Sequence, residues 1–349
     1  MPIDFRSDTV TCPTPAMREA IADALVGDDV FDEDPTMQAL QRRTASLLGK
    51  DDAIFVPSGT MSNQVAVRLH CRPGDEFLCE AGSHILNYEQ SAHVQLSGVT
   101  ARPVTGDFGV LKVEDLQDQI RPANEHFVRT RMVTLENTHN RGAGRIQPIE
   151  SVQAICRWAH ANRLTTHLDG ARLFNAVVAT GIKAAEWASH FDTVSVCFSK
   201  GLGAPVGSAL AGPGDWIREA RRHRKVLGGG MRQAGIIAAG ALYALEHHVD
   251  RLADDHKNAS DLADAIRALD GLTLTPPDPQ TNMVIFEVAP ELGAAAQFTE
   301  RLARRGLLML PISATRVRAV THLDLSAAQV RQASEILQEV VRAQFASKA

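Results

Sequence analysis

The sequence predicts an α/β protein: a large unit with a mostly parallel, mixed sheet covered by helices, then a smaller C-terminal α+β unit. Three observations carry this. Short apolar runs of strand length alternate with helical patterns through the first 250 residues. Past residue 250 the pattern changes to several short strands with few helices between them. The chain has 349 residues, 44% hydrophobic and 22% charged, enough for about two cores. The expected division is an N-terminal arm over 1–15, a large unit over 16–249 and a small one over 250–349.

The elements follow in order. Thr14 and Pro15 read as an N-cap and first helical residue, with Met17, Ile21, Ala24 and Leu25 at helical spacing. A second helix starts near Thr36 and stops at Gly49, a natural C′ residue. Ala53–Pro57 is a short apolar strand; Ser58, Gly59 and Thr60 lead from it into a helix beginning near Met61. Glu76–Glu80 and Thr130–Leu135 are further strands, and a helix spans Pro148 to Ala161. Leu164–Leu168, Val194–Phe198 and Ser208–Gly212 complete the large sheet. A long Ala- and Leu-rich helix covers Gln233–His248. The small unit reads as strands at Leu272–Thr275, Met283–Val288, Leu307–Leu310 and Arg316–Val320. It has one helix near Ala294–Arg304 and a last helix opened by the Ser326/Gln329 capping box.

Bulk properties exclude several functions. A net charge of −5 gives no footprint for nucleic acid or an acidic membrane surface. The basic run Arg218, Arg221, Arg222, Arg224 and Lys225 reads as a solvated helix face or a subunit contact. Cys12, Cys71, Cys79, Cys156 and Cys197 are scattered and lack paired spacing, which fits free thiols in a reducing compartment. No secretory leader or membrane span is evident, so a cytoplasmic protein is expected.

The chemistry gathers at strand ends. Leu164–Leu168 ends on Asp169, and Val194–Phe198 ends two residues before Lys200. Alone, Asp169 reads equally as a helix cap and Lys200 as a lysine reaching outward. Together they are the acid and amine that pyridoxal phosphate needs: the lysine forms a Schiff base, and the acid pairs with the pyridinium nitrogen. Gly201, Gly203 and Gly207 permit the close approach of a flat ligand. Ser58, Gly59 and Thr60, between a strand and a helix, suit a phosphate. Neither the Walker spacing nor a GxGxxG follows the first strand, which disfavours nucleotide and nicotinamide cofactors. His84 and His139, each past a strand end, are candidates for ring stacking and proton transfer. No metal-ligand pattern is present.

The order and spacing of these segments resemble the low-specificity L-threonine aldolase family of fold-type I pyridoxal-phosphate enzymes. The resemblance runs from Phe5–Thr11 through Gly27–Thr36, Ser58–Asn63, Leu135–Asn140, Asp169–Leu173, Ser199–Gly207 and Gly228–Gln233 to Arg318–Asp324. It implies that Lys200 carries the cofactor, Asp169 pairs with its ring nitrogen, and Ser58, Gly59 and Thr60 hold its phosphate. It also implies that His84 stacks on the ring, and that Ser7, Arg172 and Arg318 grip the substrate carboxylate, with Arg172 also at the cofactor. Lys225 and Arg232 would reach the cofactor site of a neighbouring subunit in a homotetramer built from dimers. The reaction implied is cleavage of a β-hydroxy-α-amino acid into glycine and an aldehyde. His84 is the first choice of base and His139 the second. The chain departs from the family at Phe31 and Asp32, where tyrosine and glycine are frequent, and at Gln90–His93, where small residues are usual. An eliminating lyase or a glycine hydroxymethyltransferase would need the same Lys200 and Asp169. The Arg318–His322 segment and the short chain favour the aldolase.

Overall fold

The computed structural model describes residues 2–346. Its central sheet has seven strands: β2 (Asp52–Val56), β3 (Asp75–Glu80), β4 (Thr100–Val104), β5 (Arg129–Glu136), β6 (Thr165–Gly170), β7 (Thr193–Cys197) and β8 (Ser208–Gly212), in the order β2-β8-β7-β6-β5-β3-β4. All neighbours are parallel except those of β8, which runs antiparallel to both β2 and β7. Six strands therefore end at the same edge, where an open α/β sheet binds ligands. Strands β3, β7 and β8 are buried along their whole length. Helices on both faces explain why they read as unbroken buried runs.

Local chemistry sets the boundaries. Thr14 Oγ1 accepts from Met17 N at 3.2 Å and opens the helix Pro15–Ala22. Asp34 caps Pro35–Leu48, which ends on Gly49 at φ 60°, a left-handed C′ position. Ser58 Oγ accepts from Met61 N at 3.1 Å and starts the helix Gly59–His70, two residues ahead of the sequence expectation.

Several elements differ from expectation. The edge strand β4 has no clear sequence signal: it contains Pro103 and is mostly half-exposed, as an edge permits. In the basic run, now the helix Gly214–Val226, Arg224 turns inward. It is 5% exposed, pairs with Asp29 at 2.8 Å and donates to the Phe55 carbonyl at 2.9 Å.

A second sheet joins β9 (Leu272–Leu274), β10 (Met283–Val288), β12 (Leu310–Pro311) and β13 (Arg316–Val320), with β1 (Ile3–Asp4) and β11 (Leu307–Leu308) as a separate parallel pair. The expected strand Leu307–Leu310 is thus split between two partners. The N-terminal arm joins this second core: Ile3 and Phe5 are buried in it with Phe286, Phe298 and Leu337. The first core runs from Met17 to Leu252.

Gly49→Ala would force a side chain into left-handed backbone and set its Cβ 3.2 Å from that of Ala185. The expected loss is about 1–2 kcal/mol of stability, read from urea unfolding.

Candidate active site

The shared strand edge brings Asp169, Lys200 and His84 near one another. Asp169, the penultimate residue of β6, lies in register with Ser195 of β7. Lys200 follows β7 by three residues and is half-buried. Asp169 is 4% exposed; its Oδ2 accepts from Asn63 Nδ2 at 2.8 Å and its Oδ1 from Ala171 N at 3.1 Å. Burial works against its charge, but Lys200, His84 and the Asn63 bond outweigh that and hold its pKa below the ordinary carboxylate value.

His84 opens a short helix just past β3. Its backbone N–H donates to Glu136 Oε2 at 2.6 Å and its Nδ1 meets Glu89 Oε1 at 2.9 Å. Burial opposes the imidazolium, yet Glu89 and Asp169 raise its pKa above the ordinary value. The Tyr88 ring lies 5.5 Å away, and its hydroxyl accepts from Arg141 Nε at 2.6 Å. His139 is placed differently. It is 2% exposed, and its Nδ1 accepts from Gly142 N at 3.0 Å, which leaves its proton on Nε2. That nitrogen is 2.9 Å from Glu80 Oε2, at ion-pair distance but without the alignment of a straight hydrogen bond. A Cβ at Gly109 would lie 2.2 Å from this ring, so the imidazole is wedged in place.

The two arginines have unequal roles. Arg172 forms a buried bidentate pair with Asp8: Nε to Oδ2 at 2.8 Å and Nη2 to Oδ1 at 2.7 Å. The pair overcomes burial and holds Asp8 well below the usual carboxylate range and Arg172 above its own. Arg318, on β13, donates from Nη1 to Asn140 Oδ1 at 2.9 Å and from Nη2 to the Arg6 carbonyl at 3.2 Å. Its Nε is buried and without a partner, and burial with the neighbouring Arg172 charge lowers its pKa. Ser7 Oγ accepts from Thr9 Oγ1 at 2.9 Å.

Ser58 N-caps the twelve-residue helix Gly59–His70, which opens with Gly59 and Thr60 just past the end of β2 and leaves its first N–H groups without intrahelical partners. A Cβ on Gly59 would lie 2.9 Å from Cys197 Sγ, so glycine is required for this approach. Lys225 and Arg232 are exposed; Arg232 pairs with Asp28 at 3.0 Å. Asp32, Gln90 and Ser91 all adopt left-handed backbone, with φ of 58°, 54° and 53°, so glycine fits there without strain.

Sequence reasoning missed Asp8, Asn63, Glu89 and Asn140. Asp8 and Asn63 sit inside segments singled out for neighbouring residues, but nothing local marks their partners. The fold also gathers ligand atoms of His84, Glu89 and Asp169 within 4.8 Å of one another, a grouping no sequence spacing displays.

The sheet is that of the fold-type I architecture, and the family and sequence relatives make the chain a carbon–carbon lyase. The profile of the beta-eliminating lyase family matches residues 4–289. The chain is 42% identical to the low specificity L-threonine aldolase of Escherichia coli K12 over 95% of its length and 96% of that protein's. It is 40% identical to a probable low-specificity L-threonine aldolase 2 of Arabidopsis thaliana, covering 93% of each chain. The solved threonine aldolase of Leishmania major superimposes with a TM-score of 0.83 at 21% identity, over 97% of this chain and 100% of that one. The chain belongs to the beta-eliminating lyase family and, within it, to the threonine aldolases.

Asp8→Asn would leave Arg172 buried without its counter-charge, and is expected to cost about 3–5 kcal/mol of stability at neutral pH. Because the folded-state pKa of Asp8 lies below the ordinary aspartate value of 3.8, the wild-type advantage is complete above that pH. It shrinks as pH falls further. Urea unfolding of both proteins at several pH values reads both effects.

Proposed function

We propose that the enzyme binds pyridoxal phosphate and splits the Cα–Cβ bond of L-threonine, L-allo-threonine and related β-hydroxy-α-amino acids, giving glycine and an aldehyde. The observation that carries this reading is the buried Asp169 carboxylate near the end of β6, within electrostatic reach of Lys200 just past the neighbouring β7, with His84 at the same edge. The residues fit the cofactor. Lys200 holds its carbonyl carbon, Asp169 pairs with its ring nitrogen, and the helix start at Ser58, Gly59 and Thr60 receives its phosphate. Gly59 keeps that start free of a clashing Cβ. When bound, the cofactor supplies a sink for the electron pair left on Cα.

The remaining work falls to side chains. The unpartnered Arg318 Nε is a donor that the substrate carboxylate satisfies, and Nη1 of Arg172 is the nitrogen its Asp8 pair does not use. Ser7, whose oxygen already accepts from Thr9, has its own proton to donate. His84, with Nδ1–H held by Glu89, presents a bare Nε2 for the β-hydroxyl proton. His139 is too enclosed for that task and serves the framework under the site.

The reading also takes the protein as a cytoplasmic homotetramer, a dimer of dimers whose neighbouring subunits lend Lys225 and Arg232 to each site. Val30 and Val226, 42% and 72% exposed, line one groove with Lys225, and an apolar groove beside exposed cations suits such a contact. Among the described residues no helix is long and apolar enough to cross a membrane. Residues 16–249 are taken as the cofactor-holding domain, 250–349 as the smaller one and 1–15 as an arm.

The purified protein is expected to release acetaldehyde from L-threonine and L-allo-threonine but not from their D-enantiomers, and Lys200→Ala to abolish it. No aldehyde from a protein that still binds the cofactor would sink threonine cleavage and turn attention to another lyase of the family. The free-enzyme pH profile of kcat/KM is expected to fall on the acid side through the His84 pKa, with its midpoint above the 6.5 of an ordinary histidine. His84→Asn should remove that limb; an unchanged limb would reassign the base.

A further inference from the structure

Asp169 does not stand alone in the interior. Asn63, on the helix Gly59–His70, donates through Nδ2 to Asp169 Oδ2 at 2.8 Å and to Glu89 Oε1 at 2.9 Å. Glu89 is 3% exposed and also receives Gln64 Nε2 at 2.7 Å and His84 Nδ1 at 2.9 Å. One amide nitrogen thus clamps both the carboxylate meant for the cofactor and the carboxylate behind the histidine. Reversing the amide would turn its carbonyl oxygen toward two carboxylates, so only one orientation is workable.

That orientation propagates. Asn63 Oδ1 lies 3.2 Å from His167 Nε2 and can only accept, so His167 carries its proton on Nε2. Ser195 Oγ, 3.4 Å away, is a second acceptor for the same proton; its hydroxyl is engaged with Ser62 Oγ at 2.6 Å. His167 is fully buried, and burial pushes its pKa down to about 4, so the ring is neutral and Nδ1 is a bare acceptor. It takes the Thr193 hydroxyl proton across 2.8 Å. Thr193 Oγ1, its single proton committed, then accepts from His70 Nε2 at 2.7 Å. Burial holds His70 neutral as well, its pKa down to about 3, and its Nδ1 is left buried without a partner. Every donor from His70 to His167 points toward Asn63, whose amide nitrogen in turn donates to Asp169 and Glu89.

We propose that Asn63 is the positioning residue for both Asp169 and His84, and that His70, Thr193 and His167 form a directional hydrogen-bond chain that locks its amide. The chain spans the sheet interior: Thr193 opens β7, His167 lies in β6 and His70 ends the helix that Asn63 helps to begin. None of these residues touches the reacting atoms; they act by holding those that do. The inference rests on the cofactor reading for its consequence but not for its geometry, and the two fail separately.

Long-range ¹H–¹⁵N spectra of ¹⁵N-histidine-labelled protein read the tautomer directly. His167 is expected as the Nε2–H form with and without added pyridoxal phosphate; an Nδ1–H form or an imidazolium at neutral pH overturns the chain. Cofactor dissociation constants supply the second readout. Asn63→Ala is expected to weaken binding about tenfold or more, since a hydrogen bond to a charged group is lost. Thr193→Val, which keeps shape but not the hydroxyl, should weaken it about threefold, and Thr193→Ser should restore it to within about twofold. Equal losses in the serine and valine variants, or an unchanged constant in Asn63→Ala, overturn the positioning role. Should Asn63→Ala fail to fold, the Thr193 pair and the wild-type tautomer decide. Should the wild type bind no cofactor, the cofactor reading fails and the His167 tautomer alone decides the chain.

Discussion

A charged carboxylate buried at the end of a central strand is the constraint around which this molecule is arranged. Asp169 is nearly inaccessible, and an isolated ionised carboxyl there would be driven to take up a proton. It stays ionised because Asn63 and the Ala171 N–H donate to it and because Lys200 and His84 lie near. Parallel strands deliver the pieces. The β6–β7 register brings Lys200 to the same edge, and the β3 and β5 ends bring His84 and Glu136.

The second constraint ties the two cores together. Asp8 comes from the N-terminal arm, Arg172 follows β6 and Asn282 precedes β10. Asn282 Nδ2 donates to Asp8 Oδ2 at 3.3 Å and to the Thr321 carbonyl at 3.1 Å, while its side-chain Oδ1 accepts from Asn175 Nδ2 at 3.2 Å. A buried ion pair of this kind adds little net stability compared with apolar packing. It does define one relative placement of arm, large sheet and small sheet. Arg318 reaches the site only because β13 of the small sheet is held against Asn140 and the arm's Arg6 carbonyl.

Much of the fold was legible because local chemistry decided it. Thr14 with Pro15, Gly49 as a left-handed stop and the Ser326/Gln329 box mark helix ends whatever the surroundings. Buried strands such as β7 stand out as short apolar runs. The edge strand β4 was not legible, since a half-exposed strand with a proline carries no clear periodicity. Arg224 was misread for a related reason. A helix spacing shows a basic face, but only the packed neighbour Asp29 shows that one arginine turns inward.

The sequence by itself determined the alternation of strands and helices, the strand ends bearing Asp169 and Lys200, and the glycine and hydroxyl residues at the Ser58 turn. Those are properties of short segments, governed by propensity, capping and the strand-end position. Tertiary structure alone decided which polar groups meet. It gave Arg172 to Asp8 and left Arg318 Nε without a partner. It enclosed His139 while leaving the His84 side chain 32% exposed. It joined Asn63 to residues 26 and 106 positions away in the chain. Hydrogen bonds and ion pairs depend on ångström-scale distance and orientation, and those are set by how strands register and helices pack rather than by any local pattern of residues.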